Sequence, residues 1–97
     1  MKVLFVVLWA FVLVACNTPS PEFRGVEPVR ILVGKSTFDV RVKSLRAEAI
    51  RINSEWAPRS DEVFGRATEA IEAVSGCRVR KIVGDQALMI ARLSCGG

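Results

Sequence analysis

The sequence predicts an α+β domain in which a small antiparallel sheet of two hairpins is covered by one amphipathic helix. Apolar and polar residues alternate from Val29 onward, as expected of strands with one buried face. Apolar residues recur at three- and four-residue spacing between Asp61 and Ser75, as expected of a helix with one buried face. A second alternating stretch lies between Cys77 and Cys95. The predicted element order is β-β-(β)-α-β-β.

The N-terminus has the pattern of a secretory signal. Met1-Lys2 is followed by an apolar run from Val3 to Val14. This run is shorter than the roughly 20 apolar residues that span a bilayer, so we favour a cleaved signal at 1–15 over the alternative of an uncleaved membrane anchor.

The tetrapeptide Leu13-Val14-Ala15-Cys16 resembles the lipobox of bacterial lipoproteins, in which an aliphatic, a variable and a small residue precede an invariant cysteine. The resemblance implies that Cys16 receives a diacylglyceryl thioether, that the signal is removed before it, and that the new amino terminus is acylated, as with palmitate. Several acyl chains hold a protein on a membrane far more firmly than one. In that family an aspartate after the cysteine favours inner-membrane retention, so Asn17 implies the outer membrane, facing the periplasm.

Residues 16–28 are predicted to form the lipidated N-terminus and a flexible tether, and residues 29–97 the domain. The stretch 17–28 contains all but one of the four prolines together with small polar residues, which favour an extended, solvated backbone.

With Cys16 assigned to lipid, Cys77 and Cys95 are an even pair in an oxidising compartment, which favours a disulfide. The bond would close a loop of about 19 residues. A metal site is not expected, because two thiols lack further ligands and the chain contains no histidine.

A two-residue turn at Gly34-Lys35, with glycine first, predicts the register of the first hairpin. The register pairs Val33 with Ser36, Ile31 with Phe38, Val29 with Val40, and Arg30 with Asp39. Apolar residues then meet on one face and opposite charges on the other.

Residues 46–53, RAEAIRIN, allow two interpretations. Alanine and glutamate favour a helix, on which Leu45, Ala49 and Ile52 would share a face. Ile52 and the isoleucine two residues before it alternate with Arg51, as in a strand. We favour a third strand, joined to the second through 43–45.

The helix is predicted over Asp61 to Ser75. Its apolar face consists of Val63, Ala67, Ala70, Ile71 and Val74. Ser60 is expected to cap the start, acidic residues at 61 and 62 suit the first turn, and Gly76 suits a left-handed end.

Two registers compete for the second hairpin. A tight Gly84-Asp85 turn would place Cys77 opposite Arg92 and mix polar and apolar side chains on both faces. A wider loop centred on Gln86 instead pairs Cys77 with Cys95, Val79 with Leu93, and Val83 with Met89. We favour the wider loop, because it gives one largely apolar face with Lys81 as the exception, although it sets Arg80 opposite Arg92.

Catalysis is not expected, and no cofactor is implied. The chain has no histidine and no tyrosine, and the acid pairs Asp61-Glu62 and Glu69/Glu72 suit a solvated helix face. A thiol-exchange enzyme is the least favoured hypothesis, because such enzymes usually have closely spaced cysteines at a helix start, whereas Cys77 and Cys95 lie far apart on predicted strands.

The stretch RINSEWAPR, residues 51–59, is the strongest candidate for a binding patch. Aromatic residues and arginines are common anchors of interfaces. Trp56 is either such an anchor or a core residue, which we favour, and Arg51, Asn53 and Arg59 are either its rim or a contact patch.

The segments EAIRINSEWAPR and VSGCRVRKIVGDQA, with a closing cysteine, are similar to an uncharacterised group of small secreted or lipidated alphaproteobacterial proteins. The resemblance covers much of residues 46–95 and implies no activity. We therefore expect a membrane-anchored envelope lipoprotein with a structural or binding role and an envelope protein as partner. The alternative is an inhibitor or immunity-type module that binds a periplasmic enzyme. Nucleic acid is not an expected partner, because the net charge of +4 comes from interspersed basic and acidic residues.

Overall fold

Five antiparallel strands and one long helix make up the part of the chain that the computed structural model describes, residues 19–55 and 58–96. The elements are a 3₁₀ turn at Pro21–Phe23, β1 at Val29–Val33, β2 at Ser36–Lys43, β3 at Arg46–Arg51, α1 at Ser60–Ser75, β4 at Arg78–Gly84 and β5 at Leu88–Ser94. The strands form one sheet in the order β1-β2-β3-β5-β4. The predicted α+β class is confirmed. The signal segment, Cys16 and Trp56 lie outside the described residues.

The first hairpin has the predicted register at every position. Gly34 opens its two-residue turn with φ 59°, a backbone conformation that glycine adopts at little cost. The Arg30 guanidinium donates two hydrogen bonds to the Asp39 carboxylate, at 2.9 and 3.2 Å, so the predicted pair of opposite charges is formed.

Within residues 46–53, for which the sequence allowed a helix or a strand, residues 46–51 form a strand as favoured. This strand, β3, is the middle strand of the sheet and lies between β2 and β5. Ala47 and Ala49 point toward the helix and are fully buried. Alternate residues, including Glu48, point to the other side, here called the outer face. Pairing along both edges of β3 overrides the helical preference of its alanines and glutamate.

The helix begins at Ser60 and ends at Ser75, and Gly76 has the predicted left-handed conformation, with φ 71°. The expected capping role of Ser60 is wrong. Arg59 occupies the capping position without a capping side chain, and Ser60 is the first helical residue. The Ser60 hydroxyl instead accepts a hydrogen bond from the Gln86 side chain at 2.7 Å, which ties the start of α1 to the β4–β5 loop.

The core lies between α1 and one face of the sheet. It consists of Phe38, Val40, Ala47, Ala49, Val63, Ala67, Ala70, Ile71, Met89, Ala91 and Leu93. Many of these residues are alanines, which allow the helix to pack closely against β3 and β5.

The register of the second hairpin changes partway along the pair. Val79 lies opposite Leu93 as predicted, but a bulge follows, so Lys81 rather than Arg80 lies opposite Arg92. The extra residue turns Ile82, rather than Lys81, toward the helix. The predicted pairing of Val83 with Met89 is therefore wrong, because a bulge reverses which residues face the core beyond it.

The disulfide between Cys77 and Cys95 is present, with the two Cα atoms 4.5 Å apart. It joins the residue before β4 to the residue after β5 and so closes the open end of the second hairpin.

The outer face is partly covered by residues 20–26. Phe23 is fully buried, although it is not part of the core beneath α1. The Arg41 guanidinium donates to the Val26 carbonyl at 3.1 Å, and the Ser20 amide donates to the Glu48 carboxylate at 2.7 Å. Residues that the sequence assigned to a solvated tether are thus packed on the sheet, because burial of Phe23 and the polar contacts stabilise them there.

No helix within the described residues is both long enough and apolar enough to cross a membrane.

Gly84→Ala should destabilise the domain by about 2–3 kcal/mol, because Gly84 has φ 127° and an added Cβ would collide with the Leu88 carbonyl oxygen. Gly65→Ala is the matched control. Its Cβ meets no atom within 4 Å, and it should stabilise the helix by about 1 kcal/mol. Urea unfolding measures both, and equal effects of the two substitutions would contradict the turn geometry.

Removing the disulfide with the paired change Cys77→Ala and Cys95→Ala should lower the free energy of unfolding by about 3 kcal/mol, since the bond restricts the unfolded chain. The comparison is urea unfolding of this variant and of the oxidised and reduced natural chain. An unchanged midpoint would exclude a stabilising role for the bond.

Candidate functional site

Of the described residues of the predicted patch, Arg51 and Asn53 are bound within the fold and Arg59 is exposed. Arg51 is 15% exposed in its side chain and donates to the Glu55 carboxylate at 3.0 Å. Asn53 accepts from the Thr37 amide and donates to the Lys35 carbonyl, both at 2.8 Å, so it fixes the β1–β2 turn. Arg59 remains 74% exposed, with its Nε 3.4 Å from Asp61. A binding role for this patch stays a prediction.

A polar cluster around Glu55 joins the helix to the β1–β2 turn. Its carboxylate accepts from the Ser36 hydroxyl at 2.7 Å and from Arg66 of α1 at 3.1 Å. The Ser36 hydrogen bond is the main cause that lowers the pKa of the Glu55 carboxyl, and the charges of Arg51 and Arg66 act in the same direction against the effect of burial. Because the carboxylate is held by these donors, the cluster is suited to structural support rather than proton transfer.

Three basic residues lie side by side on the outer face, one on each of three neighbouring strands. In the strand register, Arg46 of β3 lies opposite Arg92 of β5, and Arg92 lies opposite Lys81 of β4. Lys81 and Arg92 are exposed, while the Arg46 Nε lies 2.6 Å from the Glu22 carboxylate. We call Arg46, Lys81 and Arg92 the basic ladder.

A groove of about 130 Å³ runs along the basic ladder, and aliphatic Val83 and Ile90 contribute to its lining. Like charges directly opposite each other on neighbouring strands repel. Glu22 relieves this repulsion at Arg46, whereas Lys81 and Arg92 form a local excess of positive charge whose repulsion a further anionic group would relieve.

Sequence reasoning missed the basic ladder for two reasons. It placed Arg80 opposite Arg92, whereas the bulge places Lys81 there. In addition, no local pattern in the sequence indicates that Arg46 lies next to Arg92, because β3 and β5 are far apart in the chain.

A buried carboxylate lies beside the ladder on β3. Glu48 has no exposed surface and accepts hydrogen bonds from both the amide and the hydroxyl of Ser20. The Arg41 guanidinium lies 3.4 Å from its other oxygen. A carboxylate removed from water requires such partners, so these contacts fix Ser20 against the middle of the outer face.

No protein-family model matches the chain, and neither a curated protein nor a solved structure matches it. Within residues 19–55 and 58–96, the side chains form no group of three or more histidine, cysteine or acidic residues that could hold a metal ion.

Glu55→Gln should lower stability at neutral pH, because it removes the charge that binds Arg51 and Arg66. The lowered pKa of Glu55 means that its contribution is present above the ordinary value of 4.5 and is lost as the pH falls through the folded-state value. The stability difference between natural chain and variant should therefore narrow in acid.

Urea midpoints measured from pH 7 to pH 3 test this expectation. Glu69→Gln, on the exposed side of α1, is the control and should change little across the range. A constant difference for Glu55→Gln at all pH values would contradict the proposed role of the ionised carboxylate.

Proposed function

We propose that this protein is a small envelope lipoprotein, anchored to a membrane through lipid on Cys16, whose disulfide-bonded domain has a binding or structural role. The observation that carries the proposal is the sequence Leu13-Val14-Ala15-Cys16 at the end of a short apolar run. Its likeness to a lipobox accounts for the abrupt change from apolar to polar residues.

The cysteine arrangement supports the same proposal. Cys77 and Cys95 are bonded to each other, which suits an oxidising compartment outside the cytoplasm. The pairing leaves Cys16 as the one remaining cysteine of the three in the sequence. The outer membrane, with the domain in the periplasm, is the location we propose.

A binding role is favoured over catalysis by the way the polar side chains are used. Glu55 is held by hydrogen bonds and ion pairs within the fold, and Glu48 is buried among its partners. The basic ladder, in contrast, presents the charges of Lys81 and Arg92 to the surroundings. The groups that remain open to a partner are thus suited to electrostatic attraction.

Cys16→Ser should abolish acylation and leave a full-length precursor, because the serine hydroxyl cannot form the thioether. Metabolic labelling with a fatty acid and intact-mass measurement of the membrane fraction test this. The paired change Cys77→Ala and Cys95→Ala is the control and should retain the label.

Unchanged acyl labelling of Cys16→Ser would refute the lipid assignment.

Crosslinking in intact cells separates a structural or binding role in the envelope from the alternative of an inhibitor or immunity-type module. Stable capture of a periplasmic enzyme whose activity falls on binding would favour the inhibitory alternative.

A further inference from the structure

We propose that the outer face of the sheet lies against the membrane and that the basic ladder binds the phosphate groups of anionic phospholipids there. This inference rests on the proposed lipid anchor at Cys16, which would hold the domain at a bilayer. It adds the orientation of the domain and the lipid class that the domain contacts.

The chain joins the domain on the outer face. Ser20 is fixed there by its two hydrogen bonds to the buried carboxylate of Glu48. Ser20 is four positions after Cys16, and fully extended chain spans at most about 14 Å over that length. A domain anchored at Cys16 therefore stays within this distance of the headgroups, with its outer face on the side of the anchor.

The basic ladder adjoins the point where the chain arrives. Arg46 is two residues from Glu48 along β3, which corresponds to roughly 7 Å. Arg92 and Lys81 continue the ladder across β5 to the edge strand β4. The three cations thus lie beside the anchored segment. Arg46 is engaged by Glu22 of that segment, so Lys81 and Arg92 are the exposed cations of the ladder that reach the membrane surface.

The two sides of the domain differ in charge. Helix α1, on the opposite side of the sheet, contains four acidic residues and one basic residue. On the outer side of β3, β4 and β5, the basic ladder is joined by exposed Arg78. Glu48 of these strands is buried, and the exposed carboxylate of Glu22 is paired with Arg46, so Lys81, Arg92 and Arg78 leave this side positive. An anionic bilayer attracts the outer side and repels the helix side, which favours the same orientation as the anchor.

The chemistry of the groove suits a phospholipid headgroup. Guanidinium groups bind phosphate through paired hydrogen bonds, and exposed Arg92 lies at the groove opposite Lys81, while Arg46 on its other side is engaged by Glu22. Val83, which is 49% exposed, provides an aliphatic surface beside the cations for the glycerol region of the lipid.

The test uses the full lipidated protein, purified from membranes and placed in phosphatidylcholine vesicles. Photoactivatable phosphatidylglycerol is added in one arm and photoactivatable phosphatidylcholine in the other. Mass spectrometry should find phosphatidylglycerol attached within residues 78–94 at least fivefold more often than within residues 60–75. The neutral lipid should label residues 78–94 several-fold less.

Two charge-matched variants then test the ladder itself. Lys81→Glu with Arg92→Glu should reduce the phosphatidylglycerol labelling of residues 78–94 at least fivefold, since each cation near an anionic surface contributes about that factor. Lys35→Glu with Gly65→Glu and Ala73→Glu changes the net charge equally, at exposed positions away from the ladder, and should leave the labelling intact. Urea midpoints verify that both variants fold, and Lys81→Gln replaces the first variant if it does not.

Labelling of α1 equal to that of residues 78–94, or labelling that is unchanged in the ladder variant, would overturn the inference. Failure of the lipid anchor is distinguishable, because intact mass would show Cys16 unmodified whatever the photolabelling pattern. An acylated protein without ladder-dependent labelling would leave the proposed function standing and exclude the headgroup site.

Discussion

The buried carboxylate of Glu48 is the constraint on which the outer half of the structure depends. Removing a charged group from water costs several kcal/mol unless partners replace the lost hydration. Arg41 and Ser20 supply those partners, and Arg41 also binds the Val26 carbonyl, so the ion pair and the N-terminal segment support each other. The burial of Phe23 is part of the same arrangement. The segment that covers the outer face therefore both satisfies the Glu48 charge and buries Phe23.

The inner half of the structure is a helix held at both ends. At its start, Ser60 is bound by the Gln86 side chain, and at the next turns Arg66 reaches the Glu55 cluster. At its end, Glu72 accepts a hydrogen bond from the Val79 amide at 2.9 Å, close to the disulfide. A domain of this size has little apolar area to bury, so such cross-links contribute a large share of its rigidity. A rigid sheet can present a fixed pattern of charges on its outer face.

Local patterns in the sequence predicted most of the secondary structure. The register of the first hairpin and the left-handed end at Gly76 depend on neighbours in sequence or on simple alternation, whereas pairing along both edges decides the strand character of residues 46–51. The candidate patch was less predictable. Arg51 and Asn53 resemble interface residues in the sequence, but the fold uses both for internal hydrogen bonds. Residue type alone does not show whether a polar side chain has a partner within its own domain.

The sequence by itself determined the α+β class and the apolar face of the helix, because short-range periodicity encodes them. It also predicted the pairing of Cys77 with Cys95, once the likeness of residues 13–16 to a lipobox had set Cys16 apart. The tertiary structure alone decided the bulge in the second hairpin, the contact of Ser20 with Glu48 and the alignment of Arg46 with Arg92. These features arise where distant segments meet. Their energies depend on which side chains come to share a face, and strand order and burial set that only when the whole sheet has formed.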